Sequence, residues 1–388
     1  MIAWIKKIVR QELAILFYGK PPAVFLIFGI PILYSILFGF AYSNNVVKYI
    51  PAVVYDQDQT LASRSMVQAY MDSERYNVVA QVTTQEEMEE CLRQGTALVA
   101  IVIPPKFSQN IKMGLASEVL IVTDATNLMF SNTVISSSQE IIQTIAAGTG
   151  QKLFEGYNQM PSQALRAAMP IRFSVRILNN PTSSYSNFML AGLGANGLQL
   201  AIVIVTCTIL TKEYDELERW AGCQPIVLIV GKLIPYWICG IGAFLAYIVT
   251  IVVVFGVPFR GSMLSLLLIG SAFTFAVSSV GLFFSAISFN AVMAIEAPIL
   301  YIMPAFLFSG FSWPHFAMNG FSRIFSATMP LSYAADTIRD VLLAEYAPAV
   351  MKNTLILFSF GLVLLLLSAQ VFSWRRHKVT AGKEMVSL

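Results

Sequence analysis

Few side chains in this sequence have the types and spacing that catalysis or cofactor binding requires. The Gly-Lys pairs at Gly19, Gly231 and Gly382 do not belong to a G-x-x-x-x-G-K-[ST] motif, so we expect no ATP site in this chain. The two histidines, His315 and His377, have no cysteine or acidic cluster at ligand spacing, so no metal site is expected either. We therefore assign no cofactor to the chain.

One pair of carboxylates is placed where general acid–base chemistry could be considered. Asp56 and Asp58 come directly after a predicted strand. Catalysis would also require a pocket and a perturbed pKa. A solvated turn between a strand and a helix explains both residues without chemistry, and we favour that interpretation.

The most informative polar segment is Lys212–Trp220, which lies between two long apolar runs. Glu213, Glu216 with Leu217, and Trp220 recur at helical spacing. This spacing predicts a helix over residues 212–223 with an acidic and aromatic face, which a simple connection would not need. The alternative is a solvated helix beside the membrane.

Six apolar runs are long enough to cross a membrane, because a hydrocarbon core about 30 Å thick needs roughly 20 helical residues. The runs are Pro22–Tyr42, Phe188–Leu210, Leu233–Val257, Met263–Ile287, Val292–Phe311 and Thr354–Phe372. Only 12% of the residues are charged, against about 25% in soluble domains. We predict an α-helical membrane protein with six transmembrane helices, the first at residues 21–42 and the other five within 187–374.

Lysine and arginine residues near the ends of the spans predict the orientation, because they accumulate on the cytoplasmic side. One side holds Lys6, Lys7, Arg10, Lys20, Lys212, Arg219, Lys232, Arg375, Arg376, Lys378 and Lys383. The short loops of the other side hold Arg260, Arg323, Arg339 and Lys352. Both termini, including the tail 375–388, are therefore predicted to be cytoplasmic.

Residues 1–20 are predicted to form an amphipathic helix in the cytoplasmic membrane interface. The apolar stripe contains Ile2, Ile5, Val9, Leu13, Leu16 and Phe17, and Lys6, Lys7 and Arg10 lie opposite. The alternative is a simple extension of the first span.

The long insertion, residues 43–186, is predicted to be an extracytoplasmic α/β domain between the first and second spans. Short segments rich in valine and isoleucine predict strands at Pro51–Tyr55, Tyr76–Val82, Ala97–Ile103, Val119–Thr123 and Ile171–Ile177. Helical spacing predicts Leu61–Glu74, Thr84–Gln94, Lys106–Leu115, and Asn132–Leu165 with an interruption around Gly148–Gly150. Thr84 with Glu87 resembles a capping box. Cys91 is the only cysteine of this domain, so no disulfide within it is expected.

Polar residues inside the spans are candidates for a site, because a charge at the bilayer centre costs about 2.5–3.5 kcal/mol on insertion scales. Glu296 is the clearest case, and a structural role and a pathway role both remain open. Asn196 and Gln199 in the second span would avoid lipid by facing a dimer axis or by bonding to neighbouring helices.

The segment 312–350 is too polar to span and too apolar for an ordinary loop. Its aromatic residues include Trp313, Phe316, Phe321, Phe325 and Tyr333. Because aromatic residues prefer the membrane interface, we predict a hairpin of two short helices that dips into the outer leaflet.

The segment after the second span resembles a motif of the membrane subunits of ABC type-2 exporters, Lys-Glu-x-x-x-x-Glu-Arg followed by Pro and Gly-Lys. The matching residues, in order, are Lys212, Glu213, Glu218, Arg219, Pro225, Gly231 and Lys232. The segments Val53–Asp56, Ala100–Phe107, Leu307–Phe311 and Met329–Tyr333 also resemble this family, so the likeness covers nearly the whole chain.

The resemblance implies a permease subunit of the bacterial inner membrane, which is not itself an enzyme. A second permease subunit, identical or related, would complete the pathway, and two separate ABC ATPase subunits would bind ATP and Mg²⁺. Membrane lipid and a periplasmic adaptor protein are further expected partners, and nucleic acid is not.

In this family the segment after the second span is a coupling helix that contacts the ATPase, and the pathway forms between the second and fifth spans. The resemblance therefore implies coupling residues Lys212, Glu213, Glu216, Leu217, Glu218, Arg219 and Trp220. Together with the polar residues inside the spans, it gives the candidate pathway residues Asn196, Gln199, Glu296, Phe308 and Phe311 for an amphipathic, lipid-like or drug-like cargo, although the family more often has an uncharged polar residue near the position of Glu296. The competing hypothesis is a membrane scaffold without transport, whose outer domain binds an envelope or wall component.

Overall fold

The computed structural model describes residues 2–19, 23–43, 46–156, 160–162, 176–214, 216–220 and 222–386. Its contacts divide the chain into two units. Val46–Arg176 form one, and Met1–Asn45 with Ile177–Leu388 form the other. The unit formed by Met1–Asn45 and Ile177–Leu388, called the membrane unit below, begins with helix α1 (Ile2–Tyr18) and helix α2 (Ala23–Ala41).

The unit Val46–Arg176 contains a four-stranded sheet made of β1 (Ile50–Asp56), β2 (Tyr76–Val82), β3 (Val99–Ile103) and β4 (Leu120–Thr123). The strand order is β2-β1-β3-β4. Strand β1 pairs parallel with both β2 and β3, and β4 pairs antiparallel with β3. Between and after the strands lie helices α3 (Leu61–Met71), α4 (Gln85–Arg93), α5 (Phe107–Lys112) and α6 (Leu128–Glu155).

The two faces of the sheet are covered by different helices, because neighbouring side chains of a strand point to opposite faces. Ala52, Val54 and Ile101 share a core with residues of α3, α5 and α6. Val53 and Ala100 pack on the other face with Met88 of α4. Each face therefore has its own apolar core.

Three sequence predictions for this unit need comment. Helix α6 continues through Gly148–Gly150, so the predicted interruption is wrong. A helical glycine costs roughly 1 kcal/mol of stability. The packing of α6 on the sheet core, through Ile141, Ile142 and Ile145, offsets this cost. The Thr84 hydroxyl accepts from Glu87 N–H, but Glu87 accepts from Thr83 N–H, so the box is not reciprocal. The predicted strand Ile171–Ile177 falls largely outside the described residues.

The remaining helices belong to the membrane unit and follow in chain order. They are α7 (Tyr185–Thr206), α8 (Pro225–Val253), α9 (Met263–Ile287), α10 (Ala291–Ile302), α11 (Ala305–Phe308), α12 (Gly320–Ala327), α13 (Leu331–Leu343) and α14 (Val350–Val386). Six stretches of the described residues are long and apolar enough to span a membrane, which confirms the predicted number. They are Ala23–Ala41, Tyr185–Thr206, Pro225–Val253, Met263–Ile287, Ala291–Phe308 and Val350–His377.

Helices α7 and α9 form the centre of this unit, and the other spans surround them. The apolar windows of α7 and α9 are 78% and 72% buried, whereas those of α2 and of α10 with α11 are only 22% buried. Glycines let neighbours approach α7 closely, as small residues do in membrane helices. A Cβ at Gly194 would lie 2.6 Å from the Tyr247 ring.

The segment 312–350 contains helices α12 and α13, preceded by a 3₁₀ turn at His315–Ala317. Helix α13 is largely buried, with Leu331, Ile338 and Leu342 in the core of the unit. Helix α12 keeps Phe321 and Ile324 exposed at 73% and 72%. The segment therefore has one buried helix and one helix with an uncovered apolar face.

Candidate functional site

Where the structure describes the segment between α7 and α8, at residues 212–214, 216–220 and 222–223, it does not form the single helix predicted for residues 212–223. It contains two short 3₁₀ turns, Lys212–Tyr214 and Leu217–Trp220. The Trp220 indole N–H donates to the Glu213 carboxylate. In an α-helix these residues would lie about 10 Å apart along the axis, so this bond requires a folded-back chain.

The Glu213 carboxylate also belongs to a buried charge cluster, defined here as Glu12, Glu213, Lys232 and Tyr236. Lys232 Nζ lies 2.5 Å from Glu12 Oε1 and 2.8 Å from Glu213 Oε1. Tyr236 OH donates to Glu12 Oε2 at 2.9 Å. The Lys232 side chain is only 2% exposed. Such burial is tolerated because each carboxylate accepts two hydrogen bonds, one of them from the ammonium group.

Helix α1 is fixed to this cluster by Glu12 and by direct packing. A Cβ at Gly231 would lie 2.9 Å from Ile8 Cγ2, so α1 lies close against the start of α8. The Trp4 and Trp220 rings lie 6.4 Å apart, centroid to centroid. The segment and two helices therefore share one core.

The buried face of α1 differs from the predicted apolar stripe. Ile8, Glu12 and Leu16 are buried, whereas Ile2 and Phe17 are 69% and 49% exposed. The prediction used hydrophobicity alone and placed no acidic residue inside. The buried face of α1 is instead determined by the ion pair of Glu12 with Lys232 and by the close approach of Ile8 to Gly231.

The opposite side of the segment is fixed to α9 and α14. Tyr214 OH donates to the Ala286 carbonyl at 2.9 Å, and the Arg375 guanidinium lies 4.5 Å from the Tyr214 ring centroid. Burial raises the pKa of Tyr214 to about 12, and the nearby Arg375 charge opposes part of the rise. Ser285 Oγ accepts from the Leu210 N–H at 2.7 Å.

Among the side chains of the segment that the structure describes, the exposed ones are charged. Lys212, Glu216 and Arg219 are exposed, and Arg219 Nη1 lies 2.9 Å from Glu216 Oε2. The side chains of Leu217 and Glu218 lie outside the described part of the structure. Trp220 is 2% exposed, so its ring stabilises the segment from inside and is not a free anchor on the surface.

The two predicted pathway residues of α7 are both polar and at least partly buried. Gln199 is 1% exposed. Within the described residues, Asn196 Oδ1 and both polar atoms of the Gln199 amide have no hydrogen-bond partner. An unsatisfied buried group costs about 1–3 kcal/mol, so these amides lower the stability of the single chain.

Glu296, the predicted pathway residue of α10, lies on an exposed surface of the single chain. It belongs to a stripe with Val292, Leu300, Met303 and Leu307, which are between 63% and 79% exposed. The opposite side of α10 is buried through Ala294, Pro298 and Ile302. The structure therefore does not bring Glu296 together with the buried Gln199 on one surface.

The two predicted pathway phenylalanines are part of the packing of the unit. Phe311 is 3% exposed and stacks on Phe188 of α7 at 5.4 Å between ring centroids. The Arg339 guanidinium lies 4.9 Å from the Phe311 ring centroid. Phe308 meets Phe325 of α12 edge-on at 5.0 Å. Phe311 therefore connects α7 with α13.

Sequence reasoning did not select Glu12, Trp4 and Tyr236, although they complete the buried cluster. Two signals could have found them. Glu12 stands four residues from both Ile8 and Leu16, within an otherwise apolar helical row. Lys232 is followed by a long apolar helix, so a buried acidic partner could have been expected.

Comparisons with known proteins agree on one family. The model of that family, described as "ABC-2 family transporter protein", matches residues 22–369. The chain is 22% identical over 354 residues to "Probable multidrug ABC transporter permease YbhS" of Escherichia coli (strain K12), covering 87% of this chain and 88% of that protein. It is 22% identical over 361 residues to "Probable multidrug ABC transporter permease YbhR" of the same strain, covering 90% of this chain and 92% of that protein. "Inner membrane transport permease YhhJ" of that strain is 22% identical over 338 residues, covering 86% of each chain.

Proposed function

The chain belongs to the ABC-2 transporter family, and on that premise we propose that it is the permease subunit of an ATP-driven exporter. Two separate ATPase subunits would hold ATP and Mg²⁺ and supply the energy. A second permease subunit, a copy of this chain or a relative, would complete the transmembrane unit. Both termini and the segment Lys212–Trp220 would lie in the cytoplasm of a bacterial cell.

The observation that carries this proposal is the attachment of Lys212–Trp220 to several membrane helices at once. Lys232 connects the segment to α1 and α8 through two buried ion pairs. Tyr214 and Arg375 connect it to α9 and α14. A displacement of this segment would therefore be transmitted to four helices, and coupling to an ATPase requires such transmission.

The ATPase contact is assigned to the exposed charges of the segment. Lys212, Glu216 and Arg219 face outward. Glu218 stays in the proposed contact from its place in the motif, and Leu217 from the helical spacing of the sequence. Charged groups at the rim of an interface favour fast and selective association. Glu213 and Trp220 act from inside, by holding the segment in shape.

The exposed stripe around Glu296 supports a second permease subunit. A carboxylate facing lipid would cost about 2.5–3.5 kcal/mol near the bilayer centre on insertion scales, so a partner helix or a water-filled path is the better neighbour. Pairing along Val292, Glu296 and Leu300 would cover the stripe. Asn196 and Gln199 stay proposed pathway residues of the second span, but Gln199 is buried inside the single chain, so the packing around α7 would have to open for its amide to reach the pathway.

The cargo is proposed to be an amphipathic, drug-like or lipid-like molecule that moves outward. Two relatives carry "multidrug" in their names, and the pathway candidates combine aromatic rings with a few polar groups. The exposed apolar face of α12 is proposed to dip into the outer leaflet, beside the exit. A periplasmic adaptor protein would contact the α/β unit.

Co-purification with a candidate ABC ATPase from the same organism tests the proposal. The pair should elute as one complex, and reconstituted bilayers should show ATP hydrolysis that responds to cargo. A chain that purifies without any ATPase, and that leaves hydrolysis by the added ATPase unchanged, would favour a scaffold that binds an envelope or wall component.

A further inference from the structure

The α/β unit has a cleft at the carboxyl ends of two neighbouring parallel strands. Helix α3, which follows β1, packs on one face of the sheet, and α4, which follows β2, packs on the other. The connections leaving these adjacent strands therefore diverge. Open parallel sheets bind ligands in the crevice that such a divergence creates.

The cleft at this position has a volume of about 500 Å³. Its ends are formed by Asp56 at the end of β1 and by Gln81–Thr83 at the end of β2. One face of α3 supplies the wall through Arg64, Val67, Gln68 and Met71, and Gln59 closes the rim. A cleft of this size accommodates a small ligand of the metabolite class.

The acidic group of the cleft is already occupied by hydrogen bonds. Asp56 Oδ1 accepts from the backbone N–H groups of Asp58 and Gln59, each at 3.0 Å. Asp56 Oδ2 accepts from Ser63 Oγ at 2.6 Å. These bonds hold the rim loop in place and agree with the turn interpretation of Asp56, so the carboxylate is used in the fold and not offered to a ligand.

The basic group of the cleft has no such partner. The Arg64 guanidinium is solvent-exposed and makes no ion pair or hydrogen bond with any described residue. The side-chain amides of Gln59 and Gln81 likewise have no described partner. A guanidinium presents a planar fork of donors that matches a carboxylate or a phosphate.

We propose that this cleft binds a small polar ligand whose acidic group, a carboxylate or a phosphate, pairs with Arg64. The uncharged polar part of the ligand lies along Gln59, Gln81 and Thr83, and Val67 and Met71 contact its less polar side. The site lies within the α/β unit alone, and it requires neither the ATPase nor the cargo pathway.

The test uses the full-length protein in lipid nanodiscs and three probes: inorganic phosphate, glucuronate and glucose. Calorimetric titration measures binding, and hydrogen exchange follows the amides of residues 56–60 and 81–84. Phosphate or glucuronate should bind and protect these amides, and the better probe identifies the acidic group. Glucose, which has hydroxyl groups and no charge, should bind more weakly.

The variants separate a specific site from general charge attraction. Arg64→Gln should weaken binding of the anionic probe by about tenfold or more, since a charge-assisted bond is lost. Gln81→Glu should also weaken it, by placing a negative charge in the cleft. Arg93→Gln, at an exposed arginine of α4 that pairs with Glu90, is the matched control and should leave binding unchanged.

Three results would overturn the proposal. The first is no binding of either anionic probe up to millimolar concentrations. The second is an equal loss of affinity in Arg64→Gln and Arg93→Gln. The third is glucose binding as tightly as the anions, because Arg64 would then have no part in recognition.

Discussion

Lys232 Nζ lies 2.5 Å from Glu12 Oε1, so the N-terminal helix and the third membrane span are joined by a buried ion pair between residues 220 positions apart. Glu213 binds the same ammonium group from the other side. Three separate stretches of the sequence therefore depend on one lysine. This arrangement explains how a short segment outside the spans can be held firmly against them.

Replacing Lys232 by methionine should destabilise the protein strongly. The aliphatic stem is kept, but two buried carboxylates lose their common cation, and breaking a buried pair in this way costs about 3–5 kcal/mol. The thermal unfolding temperature in detergent should fall, as followed by fluorescence-detected size exclusion. The control is Lys212→Met, at an exposed lysine of the same segment, which should unfold near the unmodified protein.

Glu12→Gln should be milder than Lys232→Met, because it leaves one ammonium group facing one carboxylate. The glutamine can still accept the hydrogen bond from Tyr236 OH. If Glu12→Gln is as damaging as Lys232→Met, charge balance does not govern the cluster.

Trp220→Phe should loosen the segment without emptying its core. The ring is nearly buried and packs on Trp4, whereas the indole N–H donates to Glu213. The phenylalanine keeps most of the contact and loses the donor, so we expect the free energy of unfolding to fall by about 1–3 kcal/mol. Trp220→Ala should cost more, about 3–5 kcal/mol, because it also leaves a cavity. Unfolding of the isolated permease measures both; equal stability of the two variants with the unmodified protein would contradict the buried position of Trp220.

Cysteine labelling from outside the cell tests the orientation. A single cysteine placed at Gln57 or Glu86, both exposed in the α/β unit, should react with a membrane-impermeant reagent in intact cells. A cysteine at Glu216 or His377 should react only after the membrane is opened. Labelling at Glu216 in intact cells would refute the proposed topology.

Removing Cys91 should change little. Its thiol is free and half-buried, and it packs beside Met88 in the smaller core of the α/β unit. Cys91→Ala should cost on the order of 1 kcal/mol through lost packing. Thermal unfolding and non-reducing electrophoresis are the measurements; a large loss of folded protein, or a mobility shift of the unmodified chain under non-reducing conditions, would reveal an intermolecular disulfide.

The sequence predicted the number of spans and most of their ends because a membrane helix needs a long apolar run and little else. The third span was predicted to begin at Leu233, whereas its helix begins at Pro225 and contains the buried Lys232. Strands β1 to β4 were also predicted, since each is short, β-branched and bounded by polar residues. Both signals are local. They do not depend on which distant residue packs against them.

The coupling segment was harder to predict because its shape depends on partners distant in the sequence. The polar and aromatic residues from Glu213 to Trp220 do recur at helical spacing, but the segment forms two separate 3₁₀ turns. The hydrogen bond between these two side chains and the ion pair of Glu213 with Lys232 hold that shape. Glu12 was missed for the same reason. Its role becomes visible only when α1 and α8 are brought together.

The most direct test of the coupling role exchanges the two charges of the exposed pair in Glu216→Lys/Arg219→Glu. The exchange keeps the ion pair between the two positions, so the segment should fold, but it reverses the charges presented to the ATPase. The matched control exchanges another exposed pair, Lys48→Glu/Glu74→Lys, in the α/β unit. The measurement is cargo-stimulated ATP hydrolysis by the complex in reconstituted bilayers. We predict that the stimulated rate of ATP hydrolysis falls about tenfold for the segment exchange and does not fall for the control. A higher salt concentration should restore part of the rate, because it screens the unfavourable charge contacts. Full stimulation in the segment exchange would contradict the assignment of Lys212–Trp220 as the coupling contact.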